Sequence, residues 1–172
     1  MTKIGIIVGS LRKESYNKKL AEMVKEIAKQ NFSEKISEIK ILEIKDLPIY
    51  NQDLEENFPE QASQLKKEIE ESEKIIFITP EYNRSIPGIL KNAIDWASRP
   101  YGKNSFAHKK VLCMGVSGGG LGTVSAQNHL KQILVYLNCI VVGQPEIYIG
   151  DYDLENEKTL EVIKKGLQEL LK

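Results

Sequence analysis

Cysteine is scarce in this chain. Cys113 and Cys139 are the only two, and neither has a second cysteine near enough for a redox or zinc-binding pair. Both read as small buried apolar residues of a reducing compartment. Net charge is missing as well, because 24 Lys plus Arg balance 24 Asp plus Glu. No overall field would draw the protein to nucleic acid or an anionic membrane, so any anion site must be local. Long apolar runs are also absent. Ile4 to Val8 is too short for a signal-peptide core, and no stretch could span a bilayer. The expected location is the cytoplasm, without membrane or nucleic-acid partners. His108 and His129 are isolated and read as surface or packing residues. No metal-ligand cluster and no catalytic triad can be assembled, so neither a metal nor a catalytic side chain is expected.

What the chain does have is alternation. Its 172 residues are enough to bury a core, and no repeat or Pro/Gly/Ser linker divides them, so a single domain spanning residues 1–172 is expected. Short apolar runs alternate with segments of helical period, the pattern of a parallel α/β sheet. Ile4 to Val8, Ile75 to Thr79 and Val111 to Val116 are apolar almost without interruption, as strands covered on both faces must be. Ile39 to Ile44 carries two charges and suits an edge. A last strand lies around Glu146 to Ile149.

Helices follow each strand. Leu20, Ala21, Val24, Ile27 and Ala28 mark the first, and a second runs from about Pro59 to Ser72. The next two span Ile86 to Ala97 and Val124 to Leu137. The last has Leu160, Ile163, Leu167, Leu170 and Leu171 as its stripe. Five strands and five helices result. The edge character of the second strand favours the order 2-1-3-4-5, a flavodoxin-like three-layer sandwich with helices on both faces of a five-stranded parallel sheet. In such a sheet the ligand crevice lies at the carboxyl ends of the strands, beside the reversal of winding. The loops after strands one, three and four should therefore form the site.

The first loop, Gly9 to Asn17, brings together Ser10, Arg12, Ser15, Tyr16 and Asn17 where a buried strand hands over to a helix. Hydroxyls, an amide, a guanidinium and free helix N–H groups suit a dianionic phosphomonoester. Singly, Ser15 could be a plain helix cap and Arg12 a solvated surface residue; at one βα turn their combination favours phosphate. Neither a Walker loop nor a dinucleotide fingerprint is present, which points to a mononucleotide.

The second loop, Thr79 to Gly88, includes Pro80, Glu81, Tyr82, Asn83, Ser85 and Pro87 and is longer than a plain connection requires. A planar ring with imide-like edges could lie against it, hydrogen-bonded by main-chain N–H groups. Pro87 as a first-turn helix residue and Tyr82 as a packing aromatic are compatible roles. The third loop, Ser117, Gly118, Gly119 and Gly120 to Thr123, is rich in glycine, which permits close approach to a flat ligand but also serves tight turns.

Taken together these segments resemble the NADPH-dependent FMN reductases, a family that includes quinone, azo-dye and chromate reductases. The resemblance rests on Gly9-Ser10-Leu11-Arg12 with Ser15 and Asn17, on Pro80-Glu81-Tyr82-Asn83 with Ser85 and Pro87-Gly88, on Leu90 to Trp96, and on the glycine cluster from Gly118. Leu47-Pro48-Ile49-Tyr50-Asn51 with Asp53 also resembles the family's loop after the second strand.

The resemblance implies noncovalently bound FMN. Ser10, Arg12, Ser15 and Asn17 would hold its phosphate, and Pro80 to Asn83, Ser85 and Ser117 to Gly120 would surround the isoalloxazine and ribityl chain. It also implies NADPH or NADH as co-substrate, a small-molecule electron acceptor, and a homodimer or a tetramer built from dimers. Tyr50, Asn51 and Trp96 are then candidates for the interface or for plain packing. Ser125 and Asn128 occupy the stretch where some tetrameric relatives carry a cationic and an aromatic residue. With FMN carrying the chemistry, a ping-pong hydride transfer is expected. A non-enzymatic electron carrier of flavodoxin type is the alternative, and a flavin-free module on the same fold a third reading.

Overall fold

The computed structural model describes residues 1–172. The strands are β1 (Thr2–Val8), β2 (Ile36–Leu42), β3 (Lys74–Ile78), β4 (Lys110–Val116), β5 (Ile140–Val141) and β6 (Ile147–Ile149); the helices are α1 (Tyr16–Phe32), α2 (Glu60–Glu71), α3 (Gly88–Ser98), α4 (Val124–Tyr136) and α5 (Glu157–Leu170). All strand pairs are parallel and the order is β2-β1-β3-β4-β5, with β6 also paired to β4. This is the flavodoxin-like winding, and the charged strand β2 is indeed at an edge.

One expected strand is two. β5 pairs with Lys110 and Val111 at the start of β4, and β6 pairs with Met114 to Val116 at its end, so both occupy the same sheet position. Between them Pro145 has no N–H to give a ladder, and the chain bends away from β4 before rejoining it. The third helix begins at Gly88 rather than Ile86, because Pro87 is extended at φ −62°, ψ 148° and precedes the helix instead of lying in its first turn.

The strand period of two sorts the core into two layers. Ile4, Ile6, Ile76, Ile78, Leu112 and Met114 face α1 and α5. Ile7, Ile75, Phe77, Val111 and Cys113 face α2, α3 and α4. Leu160 and Leu171 of the predicted last stripe are only partly buried, whereas Ile163, Leu167 and Leu170 are fully so. Cys113 is buried as expected, and burial pushes its thiol up to about 12. Cys139 is only partly buried.

With helices on both faces, the carboxyl ends of β1, β3 and β4 are left as the one place where loops converge above central strands. β1 runs to α1 on one face and β3 to α3 on the other, so a crevice opens between their loops.

Candidate functional site

Above the ends of β1, β3 and β4 lies a cavity of about 90 Å³ lined by Ser10, Arg12, Ser15, Tyr16, Asn17, Pro80, Glu81, Tyr82, Val116, Ser117 and Tyr152. A volume of that order suits a phosphate group rather than a whole flavin. A more open groove of about 410 Å³ adjoins it, sharing Glu81 and Ser117 and adding Arg84, Gly119 to Gly122, Val124 and Ser125. The residues singled out in the first and third loops and at Pro80 to Tyr82 are thus gathered here, apart from Gly118. Asn83 and Ser85 line neither space.

Each residue of the first loop has a distinct position. Ser15 caps α1, its Oγ accepting from the Lys18 N–H at 3.3 Å. Ser10 is 4% exposed, and neither its hydroxyl nor the Arg12 guanidinium is engaged by a protein side chain or carbonyl. A guanidinium without a carboxylate partner, the hydroxyl of a buried serine and the first turn of α1 give converging donors, the donor set that a phosphomonoester requires.

Asn17 lines the cavity and also has a protein partner. Its Nδ2 donates to the Val116 carbonyl at 3.0 Å and its Oδ1 accepts from the Val116 N–H at 3.1 Å. β3 ends at Ile78, and the last ladder bond on that side runs from the Thr79 N–H to the Met114 carbonyl. The Asn17 amide continues the ladder one step further, as a peptide unit would. Its side chain is largely committed to fastening α1 to β4, and only the second Nδ2 proton remains for a ligand.

In the second loop, Tyr82 and Ser85 exchange both main-chain hydrogen bonds at 3.0 Å around Asn83 and Arg84, whose φ values are 51° and 62°. This is a two-residue hairpin with the type I′ twist. The N–H groups of Tyr82 and Ser85 are therefore spent on the turn, whereas those of Glu81, Asn83 and Arg84 have no backbone acceptor. The Ser85 hydroxyl lies 3.0 Å from His129 Nδ1, away from the cavity lining.

Glu81 performs a task that no local pattern signals. Thr123 precedes α4 without a side-chain cap, and Glu81 Oε2 accepts instead from the Ser125 and Ala126 N–H groups at 2.9 and 3.1 Å. A carboxylate at a helix N-terminus offsets the dipole and satisfies otherwise open donors. It also ties the second loop to the third. Arg84 approaches the other carboxylate oxygen only to 3.7 Å and is largely exposed.

The glycines of the third loop have specific neighbours. A Cβ on Gly118 would come within 2.7 Å of the Tyr152 ring, and one on Gly122, at φ 62°, within 2.8 Å of the Tyr148 and Ile149 backbone. Gly119 has nothing near it. Part of the glycine content thus serves packing against the loop after β6, and part leaves main-chain N–H groups of Gly118, Gly119 and Gly120 open. That fourth loop supplies Tyr152, a cavity residue the sequence reading passed over. Its only sequence signal is its place after the last strand.

Of the interface candidates, Trp96 is an internal residue. It is fully buried, donates Nε1–H to the Pro48 carbonyl at 2.7 Å and packs edge-on against Tyr50 and Phe58. Tyr50 donates its hydroxyl to Glu55 at 2.6 Å, where Arg99 also binds, and hydrogen bonds from Arg99 and then Tyr50 hold the Glu55 carboxyl below its usual range. Asn51 is exposed and caps the short 3-10 turn Gln52–Glu55.

The sequence profile described as NADPH-dependent FMN reductase matches residues 2–153. The chain is 44% identical over 147 residues to a 2-hydroxy-1,4-benzoquinone reductase of Burkholderia sp, covering 86% of this chain and 78% of that protein. It is 39% identical over 164 residues to the quinone reductase of Escherichia coli K12, covering 93% and 84%. Among solved structures, the flavoenzyme NAD(P)H:(acceptor) oxidoreductase FerB from Paracoccus denitrificans superposes with a TM-score of 0.89 at 38% identity, over 99% of this chain and 96% of that one. The azoreductase of Bacillus anthracis str. Sterne, at 19% identity, TM-score 0.66 and coverage of 99% and 97%, bears on the fold alone.

Proposed function

The chain belongs to the NADPH-dependent FMN reductase family, and from that premise we propose that it reduces small acceptors, quinones foremost, with NADPH or NADH in a ping-pong cycle. It is an NAD(P)H-dependent oxidoreductase with FMN as cofactor. The observation that carries the finer reading is the first loop: an unpaired Arg12 beside buried Ser10 and the head of α1, in a cavity of phosphate size. Ser10, Arg12 and Ser15 would hold the terminal phosphate, with Asn17 fixing the wall behind it. Tyr16, Pro80 to Asn83, Ser85 and Ser117 to Gly120 would border the ribityl chain and ring.

FMN, when bound, supplies the chemistry of accepting a hydride and passing electrons on. The chain's own part is to bind, orient and polarise. Main-chain N–H groups of Gly118 to Gly120, and those of Glu81 and Asn83, have no backbone acceptor and would serve as preorganised donors to a flavin ring between the two loops. Glu81 keeps those loops in register by capping α4 from the second loop.

The 410 Å³ groove beside the cavity lies between the second and third loops, where the flavin ring would sit; a nicotinamide and an acceptor would reach the ring in turn from the solvent side, and no side-chain acid is needed. That favours a broad acceptor range: quinones, azo compounds, chromate, free flavin and ferric chelates. Quinone heads this range because two relatives bear quinone reductase names.

A homodimer is the proposed assembly. Ile49, Tyr101 and Tyr136 are almost wholly exposed apolar or aromatic side chains, and a tetramer is disfavoured by Ser125 and Asn128 at the start of α4. No helix is long and apolar enough to cross a membrane. Two unpaired cysteines support the proposed cytoplasmic, reducing setting.

The test is an absorption spectrum of the purified protein followed by anaerobic bleaching with each nicotinamide, then steady-state kinetics with a benzoquinone. Bleaching and parallel double-reciprocal lines are expected. A protein that stays colourless with added FMN, or convergent lines, would overturn the flavin assignment or the ping-pong order respectively.

A further inference from the structure

We propose that Tyr152, on the loop between β6 and α5, is a further cofactor-positioning residue, whose ring forms with Tyr16 a wall of the cavity that retains the phosphate end of FMN. The proposal rests on the flavin reading above and extends the site to a fourth loop, which neither the first-loop phosphate pattern nor the glycine cluster indicates.

Four observations converge on this ring. It lines the cavity together with Ser10, Arg12 and Tyr82. It stacks on Tyr16 with centroids 4.2 Å apart and planes at 23°, and Lys19 Nζ lies 4.8 Å from the Tyr16 centroid. It lies so close on Gly118 that a Cβ there would meet Cε2, Cζ and the hydroxyl oxygen at 2.7 to 2.9 Å. Yet it remains 42% exposed, so although Tyr16 packs against the core beneath, Tyr152 itself is not a core residue.

The backbone beneath the ring is costly. Asp151 and Tyr152 are consecutive non-glycine residues at φ 51° and 55°, and a left-handed side-chain-bearing residue persists only where its surroundings over-determine it. They do so here. The Tyr152 N–H donates to the Ser117 carbonyl at 3.1 Å, the Ser117 N–H to Ile149 at 3.0 Å, and the Asp153 N–H to Gly150 at 3.0 Å. Gly150 lets the Gly120 backbone pass at a distance where a Cβ would sit 2.7 Å from its carbonyl oxygen. Two glycines, at 118 and 150, thus make room for the placement of one partly exposed aromatic ring and the turn that carries it. Core burial does not account for that outlay, but a wall for a ligand does. The contacts that place the residue, the stack on Tyr16 and the approach to Gly118, are made by the ring, which makes the ring the working part of the proposal.

The experiment compares Tyr152→Ala, Tyr152→Phe and Gly118→Ala after the bound flavin has been stripped and the protein retitrated with FMN. Loss of a stacking ring at a ligand wall is expected to weaken FMN binding about tenfold. Tyr152→Phe should stay within about threefold of the parent. Gly118→Ala, which displaces the ring without removing it, should behave like Tyr152→Ala. The melting temperature of flavin-free Tyr152→Ala should match the parent, while the rise produced by added FMN shrinks; in Tyr152→Phe that rise should be kept.

Unchanged FMN affinity in Tyr152→Ala would overturn the proposal, as would an equal loss in Tyr152→Phe, which would give the role to the hydroxyl. Failure of the parent protein itself to bind FMN would instead strike the flavin reading beneath it.

Discussion

Asn17 offers the sharpest test, because the first-loop pattern and the folded geometry assign it different work. Replacing it by alanine removes both bonds to Val116 and leaves a main-chain N–H and a carbonyl unpaired beside a residue that is only 1% exposed. Each buried orphan costs about 1 to 3 kcal/mol. Water entering through the adjoining cavity would recover part, so a net loss of about 2 to 4 kcal/mol is expected. For a chain of this size that corresponds to a fall in melting temperature of roughly 5 to 15 °C. Asn17→Asp separates the components. A carboxylate still accepts from the Val116 N–H, but it sets a second oxygen against the Val116 carbonyl and brings negative charge to the phosphate cavity. It should lower both stability and FMN affinity. Urea unfolding of the flavin-free protein, paired with FMN titration, reads the two quantities apart. If Asn17→Ala unfolds within about 0.5 kcal/mol of the parent while FMN affinity collapses, the clamp is not structural and Asn17 is a phosphate ligand first.

Arg12→Ala removes a charge-assisted hydrogen bond worth about 1.5 to 3 kcal/mol, so FMN affinity should fall about tenfold to a hundredfold. Riboflavin, which lacks the phosphate, should bind the variant and the parent alike; an unchanged FMN titration would remove Arg12 from the site. The Cys113 thiol, raised by burial from 9.0 to about 12, gives a pH signature. Above pH 9 the unfolded chain releases this proton and the folded chain keeps it, so the thiol's contribution is complete below pH 9 and is lost as pH climbs toward 12, by about 1.4 kcal/mol per unit. Between pH 9 and 10.5, Cys113→Ala should therefore lose about 2 kcal/mol less stability than the parent in urea titrations; equal losses would mean that the thiol is not held protonated by the fold.

Periodicity and local chemistry were enough to determine the winding of this protein. Apolar runs without alternation placed β1, β3 and β4 in the interior, because strands covered on both faces can carry almost no charge, and Lys40 and Glu43 marked β2 as an edge region. The same reasoning located the three loops at the switch point and gathered Ser10, Arg12 and Ser15 within one turn of chain, since a βα junction presents its N–H groups wherever it occurs. The broken last strand escaped, because two residues at Ile140 and Val141 are too short to have a period.

What only the tertiary structure decided are the pairings across large sequence distance. Asn17 meets Val116 across 99 positions, and Glu81 reaches the head of α4 across 44. The Tyr152 ring rests on Gly118 and Tyr16. No local pattern encodes these contacts, because each depends on two segments being carried to the same point by the sheet. A side chain's propensities specify the turn or helix it stands in, but which donor or acceptor faces it from another loop is fixed only once the layers have packed.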